Sequence, residues 1–188
     1  NLINVGVTAT DVIMLGKVGE KVLSGASLAG QVQFIMTLIF YGTTSGATVL
    51  TAQYWGKKDT RTIEKILGIG LRTGLTTAVV FAVAALGIPG LLMRIYTSDP
   101  VVIAEGVKYL RIVALSYIFM AVTQEDLNII RSMEKVVIAT FIYAVSLGLN
   151  IIINAVLIFG MFGFPKLGIA GAAIGTLCAR GAETIMVL

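Results

Sequence analysis

Six nearly uncharged apolar stretches divide this chain, at about 1–16, 26–52, 64–88, 100–124, 136–160 and 168–188. A helix needs roughly 20 mostly apolar residues to cross about 30 Å of hydrocarbon at about 1.5 Å per residue, and most of these stretches reach that length. A soluble core cannot hide them all: 57% of the 188 residues are hydrophobic, only 13% are charged, and mean hydropathy is +0.94. Soluble domains run near 45–50% apolar and about 25% charged. The chain therefore reads as all-α, a polytopic transmembrane bundle of about six helices. Its first and last segments look truncated, so residues 1–188 are expected to be part of a longer membrane protein.

Several chemistries are excluded by composition. There is no histidine for a triad, zinc site or haem, and Cys178 has no cysteine partner. No GxxxxGK[ST] loop occurs to draw energy from a nucleotide, and no paired acidic motif gathers magnesium. An enzyme is not expected, because no nucleophile–base pair is visible. The net charge of +4 is scattered, with no Lys/Arg run longer than Lys57-Lys58, so nucleic acid is not an expected partner.

The connections carry local signals. Asp99-Pro100 reads as an N-cap followed by proline at the first helical position, and Asp59 or Thr60 suits the same role for the third segment. Lys57, Lys58, Arg61, Lys65, Arg131 and Lys135 fall on one side, against Lys17, Lys21, Arg94 and Lys166 on the other. This modest majority places the second-to-third and fourth-to-fifth connections in the cytoplasm. Tyr54 and Trp55 read as interfacial anchors, and the methionines within spans as core filling. Gly42/Gly46, Gly70/Gly74 and Gly171/Gly175 are each spaced to let two helices approach closely.

Polar residues fall in stripes. Asn1, Asn4, Thr8 and Asp11 share one face of the first segment at helical spacing. Tyr143, Ser146, Asn150 and Asn154 do so on the fifth, and Gln33, Thr37, Thr44, Thr48 and Thr51 on the second. Lipid-facing polar edges are unfavourable, so these edges are expected to face inward. With Lys17 at the interface, Asp11 lies roughly 9 Å below it, and Asn154 falls in a similar layer. A carboxylate at the centre of a spanning helix costs about 2.5–3.5 kcal/mol, less nearer the surface. Burial favours the neutral form of such a group, which suits it to taking and releasing a proton. A set of Asp and Asn oxygens would also suit sodium at Asp11. The plainer alternative is a structural hydrogen bond between the first and fifth segments. Among the other acids, Glu183 and Arg180 have the spacing of an ordinary ion pair, and Glu105, Lys108 and Arg111 that of a surface ladder. Glu125 and Asp126, near Arg131, are expected to be solvated.

The segments "DVIMLGKVGEKVLSGASLAGQV" and "VLTAQYWGKKDTR" resemble the first two helices and following loop of the MATE (multidrug and toxic compound extrusion) transporters. Those transporters show Asp-x-x-Met-x-Gly and then Ala-Gln-x-x-Gly-x-x-Asp. "NIIINAVLIFGMFGFPKLGIAGAAIGTLCARGAE" is similar to their fifth and sixth helices. The resemblance implies one N-terminal lobe, helices 1 to 6, of a twelve-helix transporter whose C-terminal lobe lies outside this chain. It implies export of organic, often cationic compounds across the cytoplasmic membrane in antiport with protons or sodium, with no other cofactor. It assigns ion coupling to Asp11, with Asn150 and Asn154 near it, and Asn4, Thr8 and Gln33 join them as candidate cavity residues. Alternatives are a lipid-linked oligosaccharide flippase of the same superfamily, or a non-transporting membrane scaffold. Two departures stand out: "RSMEKVVIA" replaces the usual Arg-Gly/Ser-x-Gly-Asp loop, and Gly30 stands where asparagine is common.

Overall fold

A computed structural model describes the backbone of residues 2–188 and the side chains of residues 9–188 other than Phe162. Of the expected first stripe, Asn1 and the side chains of Asn4 and Thr8 lie outside what is described. The elements, in order, are α1 (Leu2–Gly16), α2 (Glu20–Gly56), α3 (Thr60–Gly87), α4 (Pro89–Arg94), α5 (Pro100–Val113), α6 (Ser116–Ser132), α7 (Val136–Phe159), a 3-10 turn at Met161–Gly163, and α8 (Ile169–Val187). No strand occurs among the described residues. Three helices, α2, α3 and α7, are individually long and apolar enough to cross a membrane. Their outer faces carry large exposed apolar side chains such as Val83, Val137 and Ile152. Lipid is the environment in which such a surface is stable.

The fourth expected span differs from its prediction. It is two helices, α5 and α6, meeting at Ala114–Leu115, and it continues to Ser132 through the stretch expected to be a connection. At the junction the Tyr117 amide reaches the Ala114 carbonyl, and the Leu115 amide that of Ile112, both three residues back rather than four. The Ser116 hydroxyl takes the freed Val113 carbonyl at 2.6 Å. A serine hydroxyl inserted into the helical ladder is a recognised cause of bending. The connection after α3 also differs, since Pro89 begins the short helix α4 at its first turn, a position that needs no proline N–H.

Helix starts follow the sequence signals. The Asp59 carboxylate accepts from the Thr62 hydroxyl at 2.6 Å and the Thr62 amide at 3.1 Å, capping α3. These bonds hold Asp59 below the usual carboxylate range. Asp99 caps α5 through the Val101 amide at 2.8 Å and accepts from Lys21 at 2.9 Å. Lys21 first, then the Val101 amide, hold Asp99 below its ordinary value. At the far end of α7, Gly160 adopts φ 71, and a Cβ there would lie 2.8 Å from the Phe164 carbonyl oxygen. Only glycine suits that C-terminal position.

The interior has three apolar centres. Val32, Met36 and Phe40 of α2 pack with Ala78 and Ala82 of α3, Met93 of α4, and Leu110, Tyr117 and Met120 of the α5–α6 pair. Leu15 of α1 joins Ala26 of α2, Ile158 of α7 and Ile169 and Ala172 of α8. Leu127 of α6 joins Ala139, Ile142 and Tyr143 of α7.

The three glycine pairs divide. Gly171 and Gly175 bring α8 onto α7, where a Cβ at Gly171 would lie 2.7 Å from the Leu157 carbonyl carbon. Gly70 and Gly74 bring α3 onto α6 at Glu125. Gly42 and Gly46, by contrast, are exposed and have nothing within 4 Å, so the packing expected of them does not occur among the described residues. Small residues permit close approach but do not supply a partner.

Candidate functional site

The fifth-segment stripe is interior along its length: Tyr143, Ser146, Asn150 and Asn154 are all buried on α7. The Tyr143 hydroxyl donates to the Gln124 side-chain oxygen at 3.2 Å, and the Ser146 hydroxyl to the Ala179 carbonyl at 3.4 Å. Deeper along the same edge, the Asn154 amide donates to the Asp11 carboxylate at 2.5 Å and to the Asn150 side-chain oxygen at 3.1 Å. Residues 143 apart in sequence thus meet. With Asp11 ionised, the amide nitrogen is the atom that turns toward it, because an ionised carboxylate only accepts. Asn154 is completely buried, and its amide oxygen has no partner among the described residues. That oxygen lies on Gly175 of α8, where a Cβ would overlap it. Burying a polar atom without a partner is unfavourable, so this oxygen is the unsatisfied atom of the pair, enclosed against α8.

Asp11 opens onto a cavity of about 480 Å³. Besides Asp11, its polar lining comes from Ser27, Gln31, Gln33 and Thr37 of α2, Tyr109 of α5, and Thr176 and Arg180 of α8. Of the remaining hydroxyls of the α2 stripe, Thr44 and Thr48 are turned onto the carbonyls four residues earlier, at 2.8 Å each, as Thr37 is at 2.9 Å. Back-bonding of this kind satisfies these three threonines within their own helix, whereas the buried Thr51 hydroxyl has no partner among the described residues. Gly30 also lines the cavity and has nothing within 4 Å, so the asparagine common at this position would find space.

Arg180 acts on Asp11 electrostatically but is bonded elsewhere, to Glu183 at 2.7 Å. The spacing of Arg180 and Glu183 predicts that ion pair, but not that Glu183 is 2% exposed or that Arg180 faces the cavity. Tyr109 and Thr176 were not identifiable from the sequence as cavity residues. Thr176 and Arg180 do share a face of α8, four residues apart, which is the one signal that could have joined them. The acids expected to be solvated divide: Asp126 is half-buried, and Glu125 is 1% exposed. The reason is the extension of α6 beyond its predicted end, which carries Glu125 into the packed interface with α3. Glu105 and Lys108 do form a pair, at 2.6 Å.

A multi-pass helical membrane protein with a carboxylate–amide pair at the wall of a half-open cavity is the class that this fold and site define. The sequence matches the MatE family over residues 1–156, and the chain belongs to that family. It is 32% identical over 184 residues to the probable multidrug resistance protein NorM of Rhizobium meliloti (strain 1021), covering 94% of this chain and 38% of that protein. To the probable multidrug resistance protein YoeA of Bacillus subtilis (strain 168) it is 30% identical over 155 residues, covering 82% of this chain and 34% of that one. The solved structure of the MATE multidrug transporter DinF-BH in complex with R6G superposes with a TM-score of 0.85 at 25% identity, covering 97% of this chain and 40% of the other. The chain thus spans about two-fifths of the length of these relatives.

Membership clarifies one departure from the family pattern. The glycine of the usual Arg-Gly/Ser-x-Gly-Asp loop falls on Glu134, which adopts φ 66. The loop keeps the left-handed backbone that glycine accommodates most easily, with a side chain that does not.

Proposed function

We propose that this chain is the N-terminal lobe of a secondary-active exporter that expels organic, often cationic compounds in exchange for protons or sodium. The second lobe would come from the remainder of the same protein, and the setting would be the cytoplasmic membrane, with the α2–α3 and α6–α7 connections inside the cell. The observation that carries this reading is the Asp11–Asn154 pair. Asp11 is hydrogen-bonded to an amide, Arg180 acts on it from the cavity wall while ion-paired to Glu183, and Asp11 borders a cavity through which an ion or ligand can reach it.

In this reading Asp11 loads the coupling ion. Asn154 holds the carboxylate in place, and Asn150 orients Asn154 by accepting its second N–H. A proton on Asp11 removes an interior negative charge and weakens its hold on the amide. Sodium would instead take a carboxylate oxygen together with the Asn154 oxygen once the amide turns from Gly175 toward Asp11, donors of the hard type that it prefers. Either event changes the packing of α1 against α7, and an ion that binds two conformations differently biases the equilibrium between them. Gln33 and Thr37 would meet the exported compound in the same cavity. Arg180 is the one cation among the described cavity residues and is engaged by Glu183, which favours efflux over a flippase built to hold pyrophosphate.

The test is efflux of a fluorescent organic cation from proteoliposomes containing the full-length transporter, driven in turn by a pH and a sodium gradient. Asp11→Asn is expected to abolish the gradient-dependent part and to retain substrate binding. Undiminished gradient-driven efflux by Asp11→Asn would refute the assignment.

A further inference from the structure

A second acid lies inside the bundle, away from Asp11. Glu125 of α6 is 1% exposed, and neither carboxyl oxygen has a hydrogen-bond partner among the described residues. It rests on α3 where two glycines occur one turn apart. A Cβ at Gly70 would lie 2.7 Å from Oε2, and one at Gly74 would lie 3.5 Å from Cγ. Glycine within a helix is less favourable than alanine, so α3 accepts a local penalty at the two positions that seat this side chain.

The packed helices offer Glu125 no cation. Within α2 there is no charged residue between Lys21 and Lys57, and α7 has none from Val136 to Phe159. On α3, Arg61, Glu64, Lys65 and Arg72 are exposed. On α8, Arg180 is bonded to Glu183, and on α5, Lys108 is bonded to Glu105 while Arg111 is exposed. On α6 itself, Arg131 lies over the Tyr143 ring, 5.0 Å from its centre. The charge that bears on Glu125 is Asp126, of like sign and half-buried. An ionised carboxylate in such a place lacks every form of compensation that buried charges normally have. A metal ion fits no better, since hard cations take about six oxygens and the neighbouring atoms here include the glycine faces and the Ala121 methyl. A proton needs no further ligand.

Depth separates the two acids. Gly70 is ten residues from the start of α3 at Thr60, roughly 15 Å along the axis. Asn154 is eighteen residues from the start of α7 at Val136, roughly 27 Å from the same side of the bundle. Glu125 therefore lies roughly 12 Å nearer the α2–α3 and α6–α7 connections than the Asp11 pair does.

We propose that Glu125 is a second proton-loading carboxyl of this lobe: it takes a proton from the aqueous phase on the side of those connections when α3 and α6 part, and holds it while they are packed. This rests on the exporter reading above, in which the lobe alternates between packings. One proton is bound to one carboxylate on loading and returned to water on release.

The experiment is infrared difference spectroscopy of the full-length transporter in lipid, between acid and neutral pH. Glu125→Gln, which keeps the shape and cannot titrate, is expected to lose a protonated-carboxyl C=O band that Asp11→Asn retains. The same carboxyl bands in Glu125→Gln and the parent would overturn the proposal. If Glu125→Gln does not fold, the parent grown with carboxyl-13C glutamate decides the matter: the band must shift with the label, and absence of any glutamate band overturns the assignment. Failure of Asp11→Asn to reduce coupled efflux would remove the exporter mechanism without altering these spectra, so the two failures are distinguishable.

Discussion

Replacing Gly175 by alanine places a methyl group on the amide oxygen of Asn154. The amide cannot retreat freely, because its nitrogen is bonded to both Asp11 and Asn150. Turning it aside breaks a hydrogen bond to a charged acceptor, worth about 1.5–3 kcal/mol. Forcing α7 and α8 apart instead is overpacking, at about 1–3 kcal/mol. Against either stands a gain of about 0.5–1 kcal/mol for alanine over glycine within a helix. Gly175→Ala should therefore lower stability by about 0.5–2.5 kcal/mol by either route, and should impair ion coupling as well. Gly181 is the internal control: it lies on the same helix with nothing within 4 Å, so Gly181→Ala should be neutral or mildly stabilising. The assay is denaturant unfolding of the purified full-length protein in mild detergent, paired with gradient-driven efflux. Equal midpoints for the two variants would refute the claim that Gly175 exists to admit the Asn154 amide.

Three further outcomes follow from particular contacts. Glu134→Gly should stabilise the protein by about 1 kcal/mol by relieving a left-handed backbone at a non-glycine residue, measured as a raised midpoint in the same unfolding assay. Leu127→Ala should destabilise by about 2–5 kcal/mol because Leu127 is fully enclosed between α6 and α7, while Val137→Ala, on an open apolar face, should change the unfolding midpoint little. Asp99 is held below its ordinary value, so its contribution is present at neutral pH and is lost as pH falls through the lowered folded value. The melting temperature of the parent should accordingly fall more steeply in acid than that of Asp99→Asn, and parallel curves would contradict the Lys21–Asp99 link.

Periodicity made the α7 stripe legible in the sequence, because one polar residue per turn in an otherwise apolar helix has only the interior to face. The two Asp caps were legible for a similar reason, since each acts on amides within three residues of itself. The sequence said less about what lies across an interface. Gly42/Gly46, Gly70/Gly74 and Gly171/Gly175 carry the same local signal. One pair meets a carboxyl, one meets an amide and a backbone, and one meets nothing among the described residues. Glu125 was read as solvated because "EDLNIIRS" looks like a connection. Its burial depends on α6 running on to Ser132 and on glycines some fifty residues earlier in α3. The bend at Ala114–Leu115 has neither proline nor glycine to announce it, only the hydroxyl of Ser116. Arg180 was paired correctly with Glu183, but its place at the cavity wall depends on the packing of α8 against α5 and α7.

The central claim is that Asp11 loads an ion from within the bundle. Its most direct test is equilibrium binding by the purified full-length transporter, with proton uptake followed by a pH indicator and sodium uptake by radiolabelled ion, for the parent and Asp11→Asn. The account predicts that the parent binds one of these ions near neutral pH and that Asp11→Asn loses that binding while keeping its fold. Equal ion uptake by the two proteins would contradict it.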